Sequence, residues 1–156
     1  MERRRFLLAT GGALGASLVP EALLAQAPPA FAQSADSEAL VKAVTHGKPA
    51  QVGRVKLELP LLADNGNSVA MKVSVESPMT AEDHVKTLRL LSERNPEREM
   101  ATFHLGPRSG RAEITSRVRL AGSQRVVALA EMSDGSYWMG TADVTVTLSA
   151  CVDGTG

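Results

Sequence analysis

The sequence predicts an all-β fold, an immunoglobulin-like β-sandwich of about seven antiparallel strands that follows one short helix. Two observations support this prediction. Apolar and polar residues alternate in short runs, as in residues 69–75 and 112–120, and a period of two is that of a strand with one buried face. Turn-forming residues interrupt these runs about every 8 to 12 residues, a spacing typical of sandwiches.

The first 32 residues have the composition of an export signal. The basic run Arg3-Arg4-Arg5-Phe6-Leu7 precedes a weakly apolar, glycine-rich stretch, and Ala30-Phe31-Ala32 offers a small-residue cleavage site. The basic run also resembles a twin-arginine signal. Pro20 interrupts the apolar stretch well before the roughly 20 residues that span a bilayer. We therefore expect a signal peptide at 1–32, export to the periplasm and no membrane anchor.

A short helix is predicted directly after the signal. Residues 34–44 are acidic near their start and carry an apolar stripe of Leu40, Val41 and Val44. Gly47 ends the pattern. We assign residues 33–50 to this N-terminal helical segment, which need not belong to the core.

Strands follow, and we assign residues 51–149 to the sandwich. They are predicted at 52–59, 69–75, 100–105, 112–120, 125–132 and 137–149. Asn65-Gly66 and Asp134-Gly135 predict turns, since these residues tolerate a positive φ. The continuous apolar run within 125–132 indicates a strand that is buried on both faces. Residues 80–95 fit a helix start at Thr80 and also a strand, so we predict a helical turn followed by a strand.

The last strand runs into the single cysteine of the chain. Residues 144, 146 and 148 are apolar and residues 145, 147 and 149 carry hydroxyl groups, so Cys151 lies on the polar face if the extended conformation persists. Unpaired cysteines are often small buried hydrophobes. Here the neighbouring residues are small or polar, which favours exposure. One cysteine in an oxidising compartment closes no internal disulfide, so it indicates an intermolecular bond or a reactive thiol.

Charge and composition exclude several classes of function. The 17 basic and 17 acidic residues balance, and only 3% of the residues are aromatic, so no nucleic-acid surface is predicted. His46, His84 and His104 have no metal-ligand spacing, and we predict neither a metal nor a cofactor. The sequence has no Ser-His-Asp or phosphate-loop signature, and a terminal tail positions a catalytic group poorly. We therefore predict no catalytic residue.

Five arginines lie close together in the sequence. A solvated strand face is the favoured interpretation, and a patch that attracts anions or docks a partner is the alternative. They are Arg108, Arg111, Arg117, Arg119 and Arg125.

Several segments together resemble the SoxY family. The resemblance extends along the whole chain. The segments are residues 93–96, 101–104, 106–113, 116–120, 127–130 and 133–135, and Val144-Thr145-Val146-Thr147-Leu148 before a cysteine.

The resemblance implies a periplasmic sulfur carrier of the thiosulfate-oxidising Sox system. Such a protein is a sandwich that forms a heterodimer with a SoxZ-like subunit. Its thiol is acted on by a cytochrome c sulfur-conjugating enzyme and by a sulfate-releasing hydrolase. By position, Cys151 would be the covalent attachment site within a carrier tail at 150–156. The residues of the carrier arm would be Ser149, Ala150, Val152, Asp153 and Gly154.

The residues beside the cysteine depart from the family pattern. SoxY typically ends in Gly-Gly-Cys-Gly-Gly, whereas here Ser149-Ala150 precedes Cys151 and Val152-Asp153 follows it. Fewer glycines reduce backbone freedom, and the carboxylate of Asp153 is expected to raise the thiol pKa. An alternative function is a structural or assembly module of a periplasmic complex, in which Cys151 forms an interchain disulfide.

Overall fold

The computed structural model describes residues 35–150, which form one α-helix and two β-sheets. The helix is α1 (Ala35–Val44), and the strands are β1 (Ala50–Val52), β2 (Val55–Glu58), β3 (Leu62–Asn65), β4 (Val69–Val75), β5 (Val85–Ser92), β6 (Glu99–His104), β7 (Glu113–Val118), β8 (Gln124–Met132) and β9 (Tyr137–Leu148). The larger sheet has the order β1-β9-β8-β5-β6, with β3 also paired to β9, and the smaller sheet has the order β2-β4-β7. This architecture confirms the predicted sandwich.

The main core lies between the two sheets. Alternate residues of β4 are buried, and Val73 is fully buried among them. Leu88 and Leu90 of β5 meet this layer from the larger sheet, together with Leu120 from the loop after β7. Burying apolar side chains of this size is the main favourable contribution to folding.

Strand β8 is buried on both faces, as its apolar sequence predicts. Val126 and Ala128 belong to the core between the sheets, whereas Val127 and Leu129 belong to a second apolar cluster on the outer face of the larger sheet. Helix α1 covers that second cluster. The sheet is therefore sandwiched between the smaller sheet and the helix around β8.

Helix α1 is packed against the body. Its Val41 is 6% exposed and packs with Val127, Leu129 and Met139. The hydroxyl of Ser37 donates a hydrogen bond to a carboxylate oxygen of Glu93. The helix therefore buries its apolar stripe on the outer face of the larger sheet, in a cluster separate from the core between the sheets.

The run predicted as one strand over 52–59 is divided between the two sheets. β1 pairs in parallel with β9, and β2 pairs antiparallel with β4. Gly53 (φ 124°) and Arg54 (φ 52°) adopt positive φ values at the crossing, a region that glycine enters at little cost. The alternation of Val55, Leu57 and Leu59 begins only after this bend, so it does not report the change of sheet.

Two further elements differ from the sequence-based expectation. Residues 62–65 form the short strand β3, parallel to β9, so the described chain has nine strands and two parallel pairings. No helical turn forms at Thr80. Its hydroxyl oxygen accepts a hydrogen bond from the Asp83 amide at 3.0 Å within a bend, and β5 begins at Val85. The side-chain hydrogen bond that would cap the start of a helix therefore forms here, although no helix follows it.

Candidate functional site

Three backbone segments meet where β9 ends, directly before the predicted attachment site. The Gly66 amide donates to the Leu148 carbonyl at 2.8 Å, and the Leu120 amide donates to the Gly66 carbonyl at 2.8 Å. The Ala150 amide donates to the Leu120 carbonyl at 3.1 Å. We call these three hydrogen bonds the anchor. They join the end of β9 to the turn after β3 and to the loop after β7.

The anchor is tightly packed. Ala150 is 3% exposed and Leu120 is fully buried. A Cβ atom added to Gly66 would lie 2.9 Å from the Ala150 nitrogen and 3.0 Å from Val146 Cγ1, and it would also collide with the Leu120 carbonyl oxygen. Only glycine therefore fits at position 66.

The Asn65-Gly66 pair forms the predicted turn, but not through the positive φ values on which the prediction was based. The Asn65 side-chain oxygen accepts a hydrogen bond from the Asn67 amide at 2.9 Å, which is an Asx turn. Neither Asn65 nor Gly66 is among the residues with positive φ. Gly66 is needed because the backbone of the neighbouring segments approaches it closely.

The structure describes two of the predicted site residues. Ser149 is exposed, and Ala150 is buried in the anchor. Cys151, Val152, Asp153 and Gly154 lie outside the described residues, as does the predicted signal at 1–32. The described body therefore reaches to the residue before the predicted attachment site.

Burial along the apolar face of β9 ends before the last residue of the strand. Val144 and Val146 are 3% and 7% exposed, as their alternation predicts, but Leu148 is 61% exposed. Leu148 pairs with Asn65, the last residue of β3, so it lies where the paired strands end. The apolar alternation of β9 therefore extends to Leu148, beyond the part of the strand that covers the core.

Exposed leucines surround this end of the larger sheet. Leu61 is 83% exposed and Leu62 is 60% exposed, and β3 places them beside the second half of β9. The Leu61 carbonyl accepts a hydrogen bond from the Thr145 amide at 2.9 Å. Leu62 pairs with Thr145, whereas Leu148 pairs with Asn65, so Leu62 and Leu148 lie on opposite faces of the sheet. Sequence reasoning missed the strand β3, because two leucines after a proline did not indicate a strand.

The five arginines do not form one patch. Arg117 lies on β7 of the smaller sheet and donates to the Ser68 hydroxyl at 2.9 Å, whereas Arg125 lies on β8 of the larger sheet. Arg125 contacts Asp143 through two hydrogen bonds of 2.8 and 2.9 Å. This hydrogen bonding lowers the pKa of Asp143 and raises the pKa of Arg125.

Within residues 35–150, no group of three or more His, Cys, Asp or Glu side chains is arranged to hold a metal ion. In the same part of the chain, no helix is long and apolar enough to cross a bilayer.

Comparison with solved structures shows what the fold resembles. The sulfur carrier protein SoxY from Chlorobium limicola f thiosulfatophilum matches with a TM-score of 0.58 and 22% identity, covering 71% of this chain and 96% of the other. A superoxide reductase (neelaredoxin) from Ignicoccus hospitalis matches with a TM-score of 0.53 and 17% identity, covering 60% and 80%. A putative superoxide reductase from Thermotoga maritima gives 0.51 and 20%, covering 63% and 87%. At these identities the likeness establishes the fold alone.

Comparison at the level of families is more specific. No curated protein matches the sequence. The model of a family described as sulfur oxidation protein SoxY matches residues 41–151, a range that runs from α1 to the cysteine. Because this match covers most of the chain and ends on Cys151, the chain belongs to the SoxY family of sulfur oxidation proteins, which are sulfur carriers.

Proposed function

We propose that this protein carries thiosulfate-derived sulfur covalently on Cys151 in the periplasm, as one subunit of a heterodimer with a SoxZ-like protein. The observation that supports the attachment site most is the family match, which ends on Cys151, the only cysteine of the chain. The anchor supports it as well, because it holds the chain to the packed body up to Ala150, the residue before Cys151.

The chemistry at the thiol proceeds in two balanced steps. In the first, the Cys151 thiolate and the terminal sulfur of thiosulfate would form a sulfur–sulfur bond, and the two electrons released would pass one at a time to haem groups of a cytochrome c sulfur-conjugating enzyme. In the second, water attacks the outer sulfonate sulfur within a hydrolase. Sulfate leaves with the release of two protons, and a persulfide remains on Cys151.

The partner enzymes would supply the catalytic groups. A carrier needs a reactive thiolate, whereas general acid–base groups belong to the enzymes that bind the thiol. We therefore assign no catalytic residue to this chain.

The location and the partner are inferred from the sequence and the family. The twin-arginine signal predicted at 1–32 supports export to the periplasm. A SoxZ-like partner follows from membership of the SoxY family. The near balance of charges gives no reason to propose a nucleic-acid partner.

Intact-mass spectrometry tests the attachment. After incubation with thiosulfate and the sulfur-conjugating cytochrome, the wild-type protein is expected to gain the mass of one thiosulfate adduct, and the Cys151→Ser protein is expected to gain none. An adduct that survives this substitution would contradict the proposal. Non-reducing gels test the alternative, an assembly module, because a disulfide-linked pair of chains would then be the main form.

A further inference from the structure

We propose that Asn95 is the positioning residue of the carrier tail. Its side chain fixes the loop to which Ala150 is anchored, and it thereby sets where the next residue, Cys151, is presented. This inference rests on the proposed attachment of sulfur to Cys151. It goes further by assigning a task to a residue of the connection between β5 and β6, far from the cysteine in the sequence.

The Asn95 side chain bonds to both neighbours of Leu120. Its nitrogen Nδ2 donates a hydrogen bond to the Arg119 carbonyl at 2.8 Å, and its oxygen Oδ1 accepts one from the Ala121 amide at 2.9 Å. A carboxamide offers a donor and an acceptor as a peptide group does, so Asn95 takes the place of a neighbouring strand here. We call these two hydrogen bonds the clamp.

Leu120 connects the clamp to the anchor. Its own amide donates to the Gly66 carbonyl and its own carbonyl accepts from the Ala150 amide, while its side chain is fully buried. The clamp holds the residue on either side of Leu120, so a shift of this loop would move the Leu120 carbonyl relative to Ala150. Hydrogen bonds weaken steeply as their geometry departs from the ideal. The position of Ala150 therefore depends on Asn95 through Leu120.

Asn95 is itself held by a buried polar network. Its backbone amide donates to the Ser92 hydroxyl at 2.9 Å, and Ser92 is fully buried at the end of β5. The Gln124 side-chain nitrogen donates to Asn95 Oδ1 at 3.0 Å, and the Ser92 hydroxyl donates to Gln124 Oε1. Fully connected networks of this kind make a structure rigid, so the clamp is attached to a fixed part of the larger sheet.

A second attachment of the same loop lies closer to β8. Residues 119–123 connect β7 to β8, and the Ser123 hydroxyl accepts a hydrogen bond from the Val146 amide at 2.9 Å. This contact holds the end of the loop next to β8, whereas the clamp holds the part around Leu120. Removing the Asn95 side chain is therefore expected to release that part while the loop stays attached at Ser123.

A fixed chain end favours the reaction with a partner enzyme. The enzyme has to bind the chain end in one arrangement, and ordering a residue at that moment lowers affinity. Because the anchor already holds Ala150, no such cost arises at this residue. An open anchor would reduce the fraction of molecules that is ready to bind and would raise the apparent KM in proportion. The chemical step uses the enzyme's own groups, so kcat would be preserved.

Two variants of Asn95 break the clamp, and Ser133 offers a matched control. Asn95→Ala deletes both hydrogen bonds, and Asn95→Asp keeps the size of the side chain but turns an oxygen toward the Arg119 carbonyl. Ser133 also bridges two segments, since its hydroxyl donates to the Glu82 carbonyl at 2.8 Å and accepts from the His84 amide at 3.1 Å. It lies in the turn between β8 and β9, at the opposite end of these strands from the anchor. Ser133→Ala thus removes a comparable bridge elsewhere.

Amide hydrogen exchange, measured by NMR, separates positioning from general stability. Exchange at Ala150 reports opening of the anchor, and exchange at Val127, which is fully buried in β8, reports unfolding of the body. We expect both Asn95 variants to accelerate exchange at Ala150 at least about tenfold, because each breaks the clamp. Ser133→Ala is expected to leave exchange at Ala150 unchanged, whatever its effect at Val127. Circular dichroism verifies that each variant is folded.

Loading of Cys151 gives a second readout. With the SoxZ-like subunit bound, the sulfur-conjugating cytochrome and thiosulfate load the thiol, and intact-mass spectrometry follows the initial rate as the carrier concentration is varied. We expect Asn95→Ala to raise the KM for the carrier at least about threefold and to leave kcat within about twofold. Tetrathionate gives the same adduct without an enzyme, because the thiolate attacks an inner sulfur and displaces thiosulfate. The rate of this second route should be unchanged.

Three results would overturn the inference. They are exchange at Ala150 at the wild-type rate in both Asn95 variants, equal acceleration at Ala150 by Ser133→Ala, and an unchanged KM in a variant whose anchor has opened. A wild-type protein that accepts sulfur on Cys151 by neither route would instead contradict the proposed function itself, and the exchange rates would still report the clamp.

Discussion

The backbone amide of Ala150 donates a hydrogen bond to the carbonyl of Leu120 across 3.1 Å. This bond holds the chain one residue before Cys151. The methyl group of Ala150 is buried there, since Ala150 is 3% exposed. The packed body therefore extends to the residue before the predicted attachment site.

Gly66 is expected to be essential for the anchor. In Gly66→Ala, the new Cβ would meet the backbone of Leu120 and Ala150, and overpacking of this kind lowers the free energy of unfolding by about 2 kcal/mol. Urea denaturation measures the change. Gly106→Ala is the control, because its Cβ would have no atom within 4 Å, and we expect a change within about 0.5 kcal/mol. Equal stability of the two variants would contradict the packing at Gly66.

Ala150→Gly is expected to loosen the chain end without unfolding the body. Glycine has more conformational freedom in the open state, which weakens an extended segment by roughly 0.5–1 kcal/mol. Amide hydrogen exchange at residue 150 should accordingly accelerate about twofold to fivefold. Ala70→Gly on the exposed face of β4 is the control, and it should leave exchange at residue 150 unchanged. Exchange at residue 150 that is as fast in the wild type as in Ala150→Gly would mean that the anchor is not formed in solution.

The contact between Asp143 and Arg125 predicts a pH-dependent contribution to stability. The hydrogen bond from Arg125 lowers the pKa of Asp143 in the folded protein. The stabilisation is therefore present above the unfolded pKa of about 3.9 and is lost as the pH falls through the lower folded pKa. Because the Asp143 side chain is 62% exposed, screening by solvent limits the contribution to about 0.5 kcal/mol.

Asp143→Asn measures this contribution. We expect the variant to unfold more easily than the wild type at pH 7 and the difference to shrink below pH 4. Asp64→Asn, at an exposed carboxylate of β3, is the control and should show a smaller difference at pH 7. A wild-type advantage over Asp143→Asn that grows as the pH falls would contradict the assignment.

Asp153 is expected to reduce the reactivity of the neighbouring thiol. A negative charge close to a thiol raises its pKa and repels an incoming anion. For exposed charges a few ångströms apart in water the effect is of order 1 kcal/mol or less. The rate of the reaction of Cys151 with tetrathionate at pH 7 and low salt should thus rise about twofold to threefold in Asp153→Asn. Added salt should reduce the difference, and equal rates at low salt would contradict the prediction.

The sequence predicted the elements whose pattern is local. The alternation of β4 and the continuous apolar run of β8 both report burial directly, and these strands were correctly placed. The change of sheet at Gly53 and the strand β3 were missed. Both depend on β9, which lies far away in the sequence and pairs with β1 and β3 in parallel, so no short pattern reports them.

Only the part of the candidate site that local sequence specifies was predictable, and the part that depends on long-range contacts was not. The position of Cys151 after the last strand is a property of the sequence, and the resemblance to SoxY gave it a role. The anchor brings together Gly66, Leu120 and Ala150 from separate parts of the chain, and the exposure of Leu148 depends on where β3 ends. These features arise from tertiary packing, which overrides local alternation.

Mass analysis of the tryptic peptide that contains Cys151 tests the central claim most directly. Trypsin leaves residues 126–156 in one peptide, because none of them is a lysine or an arginine. In protein isolated without reductant from cells oxidising thiosulfate, we expect a fraction of this peptide to carry added sulfur on Cys151 that a thiol reductant removes. A peptide found only unmodified, or only disulfide-linked to a second chain, would contradict the account.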